Sequence, residues 1–388
     1  CGVPFYHRTV CRPQRAGNGN QRRTGRIGGD AVMAKFTDVF SDQTKLGYKI
    51  PTSEYLSEGK FPIIDQGHGQ IAGYTNLQSG VFENVPVIIF GDHTRAVKYV
   101  NTPFFLGADG VKVLKSKIKD TDYKYLFYFL QTAHIPNTGY NRHFKWLKEL
   151  EIPLPPISEQ RRIASILDKV TDLIAKRRAQ IEKLDLLVKS RFVEMFGDPV
   201  KNPKNWNILP LKLLGECKNG MNFHSDNFGV KIRCLGVSDF KDLSIINDVS
   251  QLPTISLNEI PNDNYLLKNG DILFVRSNGN KNLVGRSIVV YPNNTLTTFS
   301  GFCIRFRILN SEVSSSYLLR VFKTESIRKK IVGRGANIQN LNQKILFELN
   351  IPVPPLSLQK QFANFVEQTE TTKSTIQQSL ETLETLKK

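Results

Sequence analysis

The chain has 388 residues, a formal charge of +18 and a pI near 9.6. It is long enough for two or three domains with proper cores, and its excess charge points to a polyanionic partner, most often nucleic acid. Its five cysteines, Cys1, Cys11, Cys217, Cys234 and Cys303, form no CxxC pair, and no apolar run approaches the ~20 residues that span a bilayer; the expectation is a reduced, cytoplasmic protein without structural zinc or a secretory leader.

Residues 1–32 are rich in Arg, Gly, Asn and Gln with little apolar periodicity. The chain opens on Cys1, and Met33 reads as a natural start, so this stretch is expected to be a non-native or flexible basic leader, with a phosphate-touching arm as the alternative. Residues 33–151 form a first variable block. KFPIID, GQIAGYT, VPVIIFGDHT and AVKYVNTPFFLG have the Val, Ile, Phe and Tyr content and the Gly and Asp punctuation of strands, and DYKYLFYFLQTAH is the best helix candidate.

A repeat follows. IPLPPISEQRRIASILDKV begins at Ile152 and returns as IPVPPLSLQKQFANFVEQT at Ile351, a period of 199 residues that holds without a gap to the C-terminus. Repeat 1 spans 152–196 and repeat 2 spans 351–388. In the first, Ser158 is the expected N-cap behind Pro155 and Pro156, and Gly197 and Pro199 the stop, giving a helix of about 38 residues and ~57 Å. Ile163, Leu167, Val170, Ile174, Arg177, Ile181, Leu184 and Val188 step by four and three, the spacing of a coiled-coil seam. Phe362, Val366, Thr369, Lys373, Ile376, Leu380, Leu383 and Lys387 repeat those steps. Two long helices with matched seams are expected to pair with each other.

Residues 197–350 form the second variable block, with no visible sequence likeness to the first. NWNILPLKLLGE opens it, DILFVRS, RSIVVYP and SGFCIRFRIL read as strands, and SYLLRVFKTESIRKKIV reads as one basic helix. The fold class is therefore α+β: two mixed β-sheet blocks with helices, separated by two long helices.

The order of block, IPLPPxxEQ helix, FGDP, block and IPVPPxxxQ helix resembles the specificity subunit of Type I restriction-modification systems. IIFGDHTR, GYNRHFKWLKELEIPLPP, NGDILFVRSNGN and NIQNLNQKILFELNIPVPP accompany the match, which covers essentially everything after Met33. The resemblance implies a non-catalytic subunit with two target recognition domains, 33–151 and 197–350, each reading one half of a split DNA sequence. It also implies an antiparallel coiled coil that sets the spacing. Two methyltransferase subunits that bind S-adenosylmethionine and methylate adenine would dock on it, and restriction subunits using ATP and Mg could join. Two departures stand out. Glu159 of the EQ pair is Leu358 in the second copy, and the first block lacks the opening seen at Asn205 and Trp206, as though its start had been replaced by the leader.

Catalytic signatures are missing. There is no (N/D)PP(Y/F), Walker loop, HExxH or GxSxG, and GHGQIAG at 67–73 reads as a turn. Asp65, Asp92 and Asp271 read as turn and strand-end residues, so no metal site and no cofactor is expected in this chain. DNA reading asks for Arg or Lys against guanine, Asn or Gln against adenine, and cations on phosphates. In the first block the candidates are His93, Arg95 and Lys98, with Tyr140, Asn141, Arg142, His143 and Lys145. In the second they are Arg276, Ser277, Asn278, Asn280, Lys281 and Arg286, with Arg334, Asn337, Gln339, Asn342 and Lys344. Arg328, Lys329 and Lys330 are expected to clamp phosphates. The competing reading is a coiled-coil adaptor with non-specific nucleic-acid affinity.

Overall fold

The structure is a computed structural model that describes residues 31–107, 109–139, 141–223, 228–240, 244–332 and 340–387. It divides into two compact units, one reaching Asp172 and the other Leu173–Leu386. Among the described residues no helix is long and apolar enough to cross a membrane.

The first unit contains β1 (Val32–Lys35), α1 (Phe36–Val39), β2 (Phe40–Asp42), β3 (Phe61–Ile64), β4 (Gly73–Thr75), β5 (Val87–Gly91), β6 (Val97–Val100), β7 (Phe105–Leu106), β8 (Val111–Ser116), α2 (Tyr123–Thr132), α3 (Phe144–Leu147), β9 (Glu151–Leu154) and the start of α4 (Ile157–Phe196). Its sheets have the orders β2-β8-β5-β6 and β4-β3-β7. The run VIIF is apolar without alternation because β5 is covered on both faces. Ile88 and Phe90 pack with α2 residues Tyr125, Leu126 and Leu130, while Val87 and Ile89 pack with Phe104, Leu106 and Val113.

The second unit contains β10 (Asn207–Pro210), β11 (Gly215–Asn219), β12 (Val230–Leu235), β13 (Ile245–Ile246), β14 (Thr254–Leu257), β15 (Asp271–Val275), β16 (Ser287–Val290), β17 (Thr297–Phe299), β18 (Cys303–Ile308), α5 (Ser315–Lys323), α6 (Glu325–Val332), α7 (Gln343–Phe347), β19 (Asn350–Val353) and α8 (Leu356–Lys387). Its sheets run β11-β18-β15-β16-β13 and β14-β12-β17. Here Ile272 and Phe274 of β15 face Phe322 and Ile327, and Leu273 and Val275 face Leu235 and Phe299.

The two blocks therefore share a topology that their sequences hide. In each, a central strand pairs antiparallel with two neighbours, β6 and β8 around β5, β16 and β18 around β15. Each small sheet has one antiparallel and one parallel pairing, β3 with β4 and β7, β12 with β14 and β17. Each repeated Pro strand closes its block by pairing antiparallel with the block's opening strand, β9 with β1 and β19 with β10. Val32–Lys35 thus occupies the place of Asn207–Pro210: the strand that opens the first block is present and takes in Val32 from the expected leader, while the Asn205–Trp206 pair that precedes β10 has no counterpart in the sequence before β1.

The helices differ in detail from expectation. α4 has 40 residues and begins at Ile157, ahead of Ser158; its first turn is tied by Gln160, whose Nε2 donates to Pro155 O at 2.9 Å while Oε1 accepts from Asp122 N and Thr121 Oγ1 at 3.0 Å. Gln359 repeats the tie with Pro354 O, Glu312 O and Ser314 N at 2.9, 2.8 and 2.9 Å. Both glutamines are buried, whereas Glu159 pairs with Arg162 on the surface and Leu358 packs against the core. The single basic helix is two helices, since Thr324 takes an extended conformation (ψ 145°) after α5 and its carbonyl accepts Arg328 N at the start of α6.

In the second unit the later part of α4 runs antiparallel to α8. Phe192 and Phe196 lie 5.5 Å from the Phe362 ring, Lys373 reaches Asp185 at 2.7 Å, and Arg178 reaches Glu384 at 2.6 Å. All twelve apolar seam residues named above, from Ile163 to Leu383, are buried or half-buried. Gly197 ends α4 at φ +78°, where a Cβ would meet Pro203 at 2.5 Å.

Candidate nucleic-acid interface

In the first unit three chain segments converge where β5 ends. Asp92, the next residue, donates its amide to Gly110 O at 2.7 Å and accepts at its carbonyl from His143 N at 2.8 Å. Its buried carboxylate accepts Phe144 N at 2.7 Å, which starts α3. Gln66 ties in the turn after β3: Nε2 donates to Asp109 O at 3.0 Å, Oε1 accepts His93 N at 3.3 Å, and its carbonyl accepts the Thr94 hydroxyl. Arg95 holds a left-handed backbone (φ 62°), which costs of order 1 kcal/mol, through its amide on Gly91 O at 2.7 Å and Nη1 on Ile135 O at 3.2 Å. Asp109 is exposed, and its carboxyl lies below the usual range through the Lys49 hydrogen bond and charge and the nearby Arg142.

The second unit builds the same junction. Arg276, the residue after β15, donates its amide to Phe302 O at 2.8 Å and accepts at its carbonyl from Leu341 N at 2.7 Å. Ser277 pairs as a bridge with Asn340. Arg276 Nη1 reaches Gly301 O at 3.3 Å, and Asn278 and Asn280 fold the following loop by accepting the amides of Asn280 and Asn282 at 2.8 and 3.1 Å. Asp92 and Arg276 thus hold equivalent positions. Around each, the loop before the last long strand and the loop before the short helix are fastened by the same two backbone bonds.

Several expected DNA contacts gather at these junctions. Asn141, Arg142, Lys145 and Asn280 are exposed there, and His93, Arg95, Arg276, Ser277, Asn278 and Arg286 are half-buried. Others are committed elsewhere. Lys98 is 3% exposed and donates to Asp65 O at 2.8 Å, burial lowering its pKa against the opposing Asp65 charge. His143 is buried, with Nδ1 2.9 Å from Asp92 O. These two brace the loops from within instead of facing a groove. Asn342 caps α7 by accepting Ile345 N at 2.9 Å, and Lys344 is exposed on that helix. Arg328 is half-buried and lines a cleft of about 610 Å³ with Lys189, Phe192 and Lys323, with its Nη1 buried; Lys329 pairs with Glu325 at 2.6 Å and Lys330 is exposed. Tyr140, Arg334, Asn337, Gln339 and the side chain of Lys281 lie outside the described residues. Sequence reasoning missed Gln66, Asp109 and Phe302; only the Gly-rich turn around Gln66 gave any signal.

The acids considered for metal binding hold protein groups: Asp65 holds Lys98, Asp92 holds α3, and Asp271 takes a two-pronged contact from Arg307 at 2.9 and 2.7 Å.

Residues 30–183 and 203–385, one junction in each, match the family described as the Type I restriction modification DNA specificity domain. The chain belongs to that family. It is 26% identical over 367 residues to the Type I restriction enzyme MjaVIII specificity subunit of Methanocaldococcus jannaschii, covering 86% of this chain and 81% of that protein. It is 22% identical over 356 residues to the EcoR124I/EcoR124II specificity subunit of Escherichia coli, covering 86% and 85%. Its fold is similar to the S subunit of a Type I restriction-modification system from M. genitalium, with a TM-score of 0.58 at 17% identity over 93% of this chain and 95% of that one. Within the specificity family, the two matched stretches here carry one backbone scaffold with different side chains at its junction: Asp92, Asp109 and Arg142 in the first, Arg276, Phe302 and Asn340 in the second.

Proposed function

We propose that this chain is the DNA-reading, non-catalytic subunit of a Type I restriction-modification complex, and that each junction reads one half of a bipartite target. The observation that carries this reading is the duplicated junction: a shared scaffold keeps both edges in the same form, while its exposed side chains differ, as two readers of different half-sequences require. The +18 charge supplies the sequence-independent attraction to phosphates. Arg142, Arg276 and the asparagines supply donors and acceptors for base edges. The paired helices set the gap between half-sites. Two methyltransferase subunits would supply S-adenosylmethionine chemistry on adenine, and restriction subunits would bring ATP and Mg.

The test is binding by the chain assembled with its methyltransferase partner, measured against salt on target and scrambled duplexes. Selective binding that weakens as salt rises is expected. Equal affinity for both duplexes at every salt concentration would make the chain an adaptor. The purified chain alone, with labelled S-adenosylmethionine, Mg²⁺ and DNA, is expected to transfer no methyl group and cut no strand.

A further inference from the structure

Phe302 is 60% exposed, although the next residue, Cys303, is fully buried. An isolated surface ring needs no explanation by itself. Its backbone, however, is among the most firmly fastened in the junction. The Phe302 carbonyl accepts both Arg276 N at 2.8 Å and Ser277 N at 3.4 Å, and its amide donates to Ser300 Oγ at 3.3 Å. The preceding Gly301 donates its amide to Met221 O at 2.8 Å and accepts Arg276 Nη1 at 3.3 Å. A Cβ on Gly301 would lie 2.1 Å from Asn222 Oδ1, so any larger residue there would have to displace the Asn222 amide group. The ring is thus held out from a rigid turn beside Arg276, Ser277 and Asn340.

The first unit supplies the comparison. There the carbonyl that receives the strand-end amide belongs to Gly110, which has no side chain, and the exposed group of the same turn is the Asp109 carboxylate. One backbone position thus carries an aromatic ring in one reader and nothing in the other, beside a carboxylate. In the major groove the thymine 5-methyl is the apolar feature that distinguishes a base pair, and an aromatic ring such as Phe suits it; a carboxylate suits the cytosine amino group instead.

We infer that the turn before β18 is a further reading loop and that Phe302 determines specificity by contacting a thymine 5-methyl group in the half-site read by residues 207–353. The inference rests on the proposed DNA-reading function. It adds an apolar contact to a junction otherwise made of polar side chains.

The test uses the chain assembled with its methyltransferase partner and duplexes in which each thymine of that half-site is replaced in turn by deoxyuridine, which lacks the methyl. With the unaltered chain, one replacement should weaken binding roughly 4-fold, the worth of one buried methyl-sized group. F302A should melt with the unaltered protein, bind the thymine duplex at least as weakly, and no longer distinguish thymine from deoxyuridine there. Three results overturn the inference while leaving the DNA-reading function intact: a half-site without thymine, a deoxyuridine penalty that persists in F302A, or no penalty at any position. If the assembled protein shows no preference for its target over scrambled DNA, the inference and the proposed function fall together.

Discussion

Replacing Gln359 by leucine should loosen the second unit at the joint between its Pro strand and the start of α5. Gln359 is fully buried and makes three bonds, to the carbonyls of Pro354 and Glu312 and from the amide of Ser314. Leucine fills similar space but leaves those three groups without partners. Glu312 is exposed, so its carbonyl can be hydrated; the other two are left in or near the interior. At about 1–3 kcal/mol for each orphaned group, with some return from the added apolar side chain, the net loss is about 2–4 kcal/mol. For a unit of this size that lowers Tm by roughly 5–15 °C. Q160L should do the same to the first unit, because Gln160 holds Pro155 O, Asp122 N and Thr121 Oγ1. E159L, which installs the side chain of the other copy, should leave Tm unchanged, since Glu159 only pairs with Arg162 on the surface. Scanning calorimetry measures the loss, and hydrogen exchange at the Ser314 and Asp122 amides locates it. If Q359L melts with the unaltered protein and Ser314 keeps its protection, the repeated glutamine is not what joins helix to block.

Other outcomes follow from the same structure. R142A should cost about 1–3 kcal/mol on the correct target and little elsewhere, whereas K330A should weaken binding to all sequences alike and lower the salt slope by about one; fluorescence anisotropy at several salt concentrations separates them. Burial, with Arg320 adding to it, lowers the Lys323 pKa from 10.5 to about 8. The folded state therefore releases this proton before the unfolded chain does, and its charging penalty is full below pH 8 and fades as pH rises from about 8 towards 10.5. K323M should accordingly be more stable than the unaltered chain at pH 7, and the difference should shrink over that interval in denaturant titrations. Deleting the facing heptads Ile174–Gln180 and Leu380–Leu386 should shorten the paired helices by ~10 Å and the gap between half-motifs by about 3 bp, leaving the half-motifs unchanged; an unaltered gap in a folded, active protein would remove the helices as the ruler.

Much of the architecture was legible because burial writes short-range patterns. Of the four-and-three steps in α4 and α8, Ile163 packs with the core of the first unit and Val188, Phe362 and Val366 with the core of the second, and VIIF and ILFV are apolar throughout because both of their faces are covered. The common topology of the two blocks was not legible. It rests on backbone pairings between distant strands, such as β2 with β8 and β12 with β17, which many side chains satisfy. Serine caps locally, which made Ser158 the expected cap, but the first amides of α4, those of Glu159 and Gln160, go to the Pro156 carbonyl, and the Gln160 side chain ties the same turn to residues 121–122 through tertiary bonds. The break at Thr324 was hidden among good helix formers. At the junctions, charge and loop position singled out Arg142 and Arg276, yet the same logic selected Lys98 and His143, whose polar atoms satisfy buried partners. Composition alone does not separate a cation that braces a loop from one that faces DNA. Asp109 and Phe302 were missed because each becomes notable only beside segments far away in sequence.

If two independent readers share one scaffold, exchanging one of them should leave the half-site of the other untouched. Mapping N6-methyladenine across the genome tests it most directly, in a host carrying the partner methyltransferase with this chain and with a chimera whose residues 207–353 come from a relative. A bipartite motif is expected in which the chimera changes one half and leaves the other intact. A motif in which both halves change together, or a single continuous motif, would contradict it.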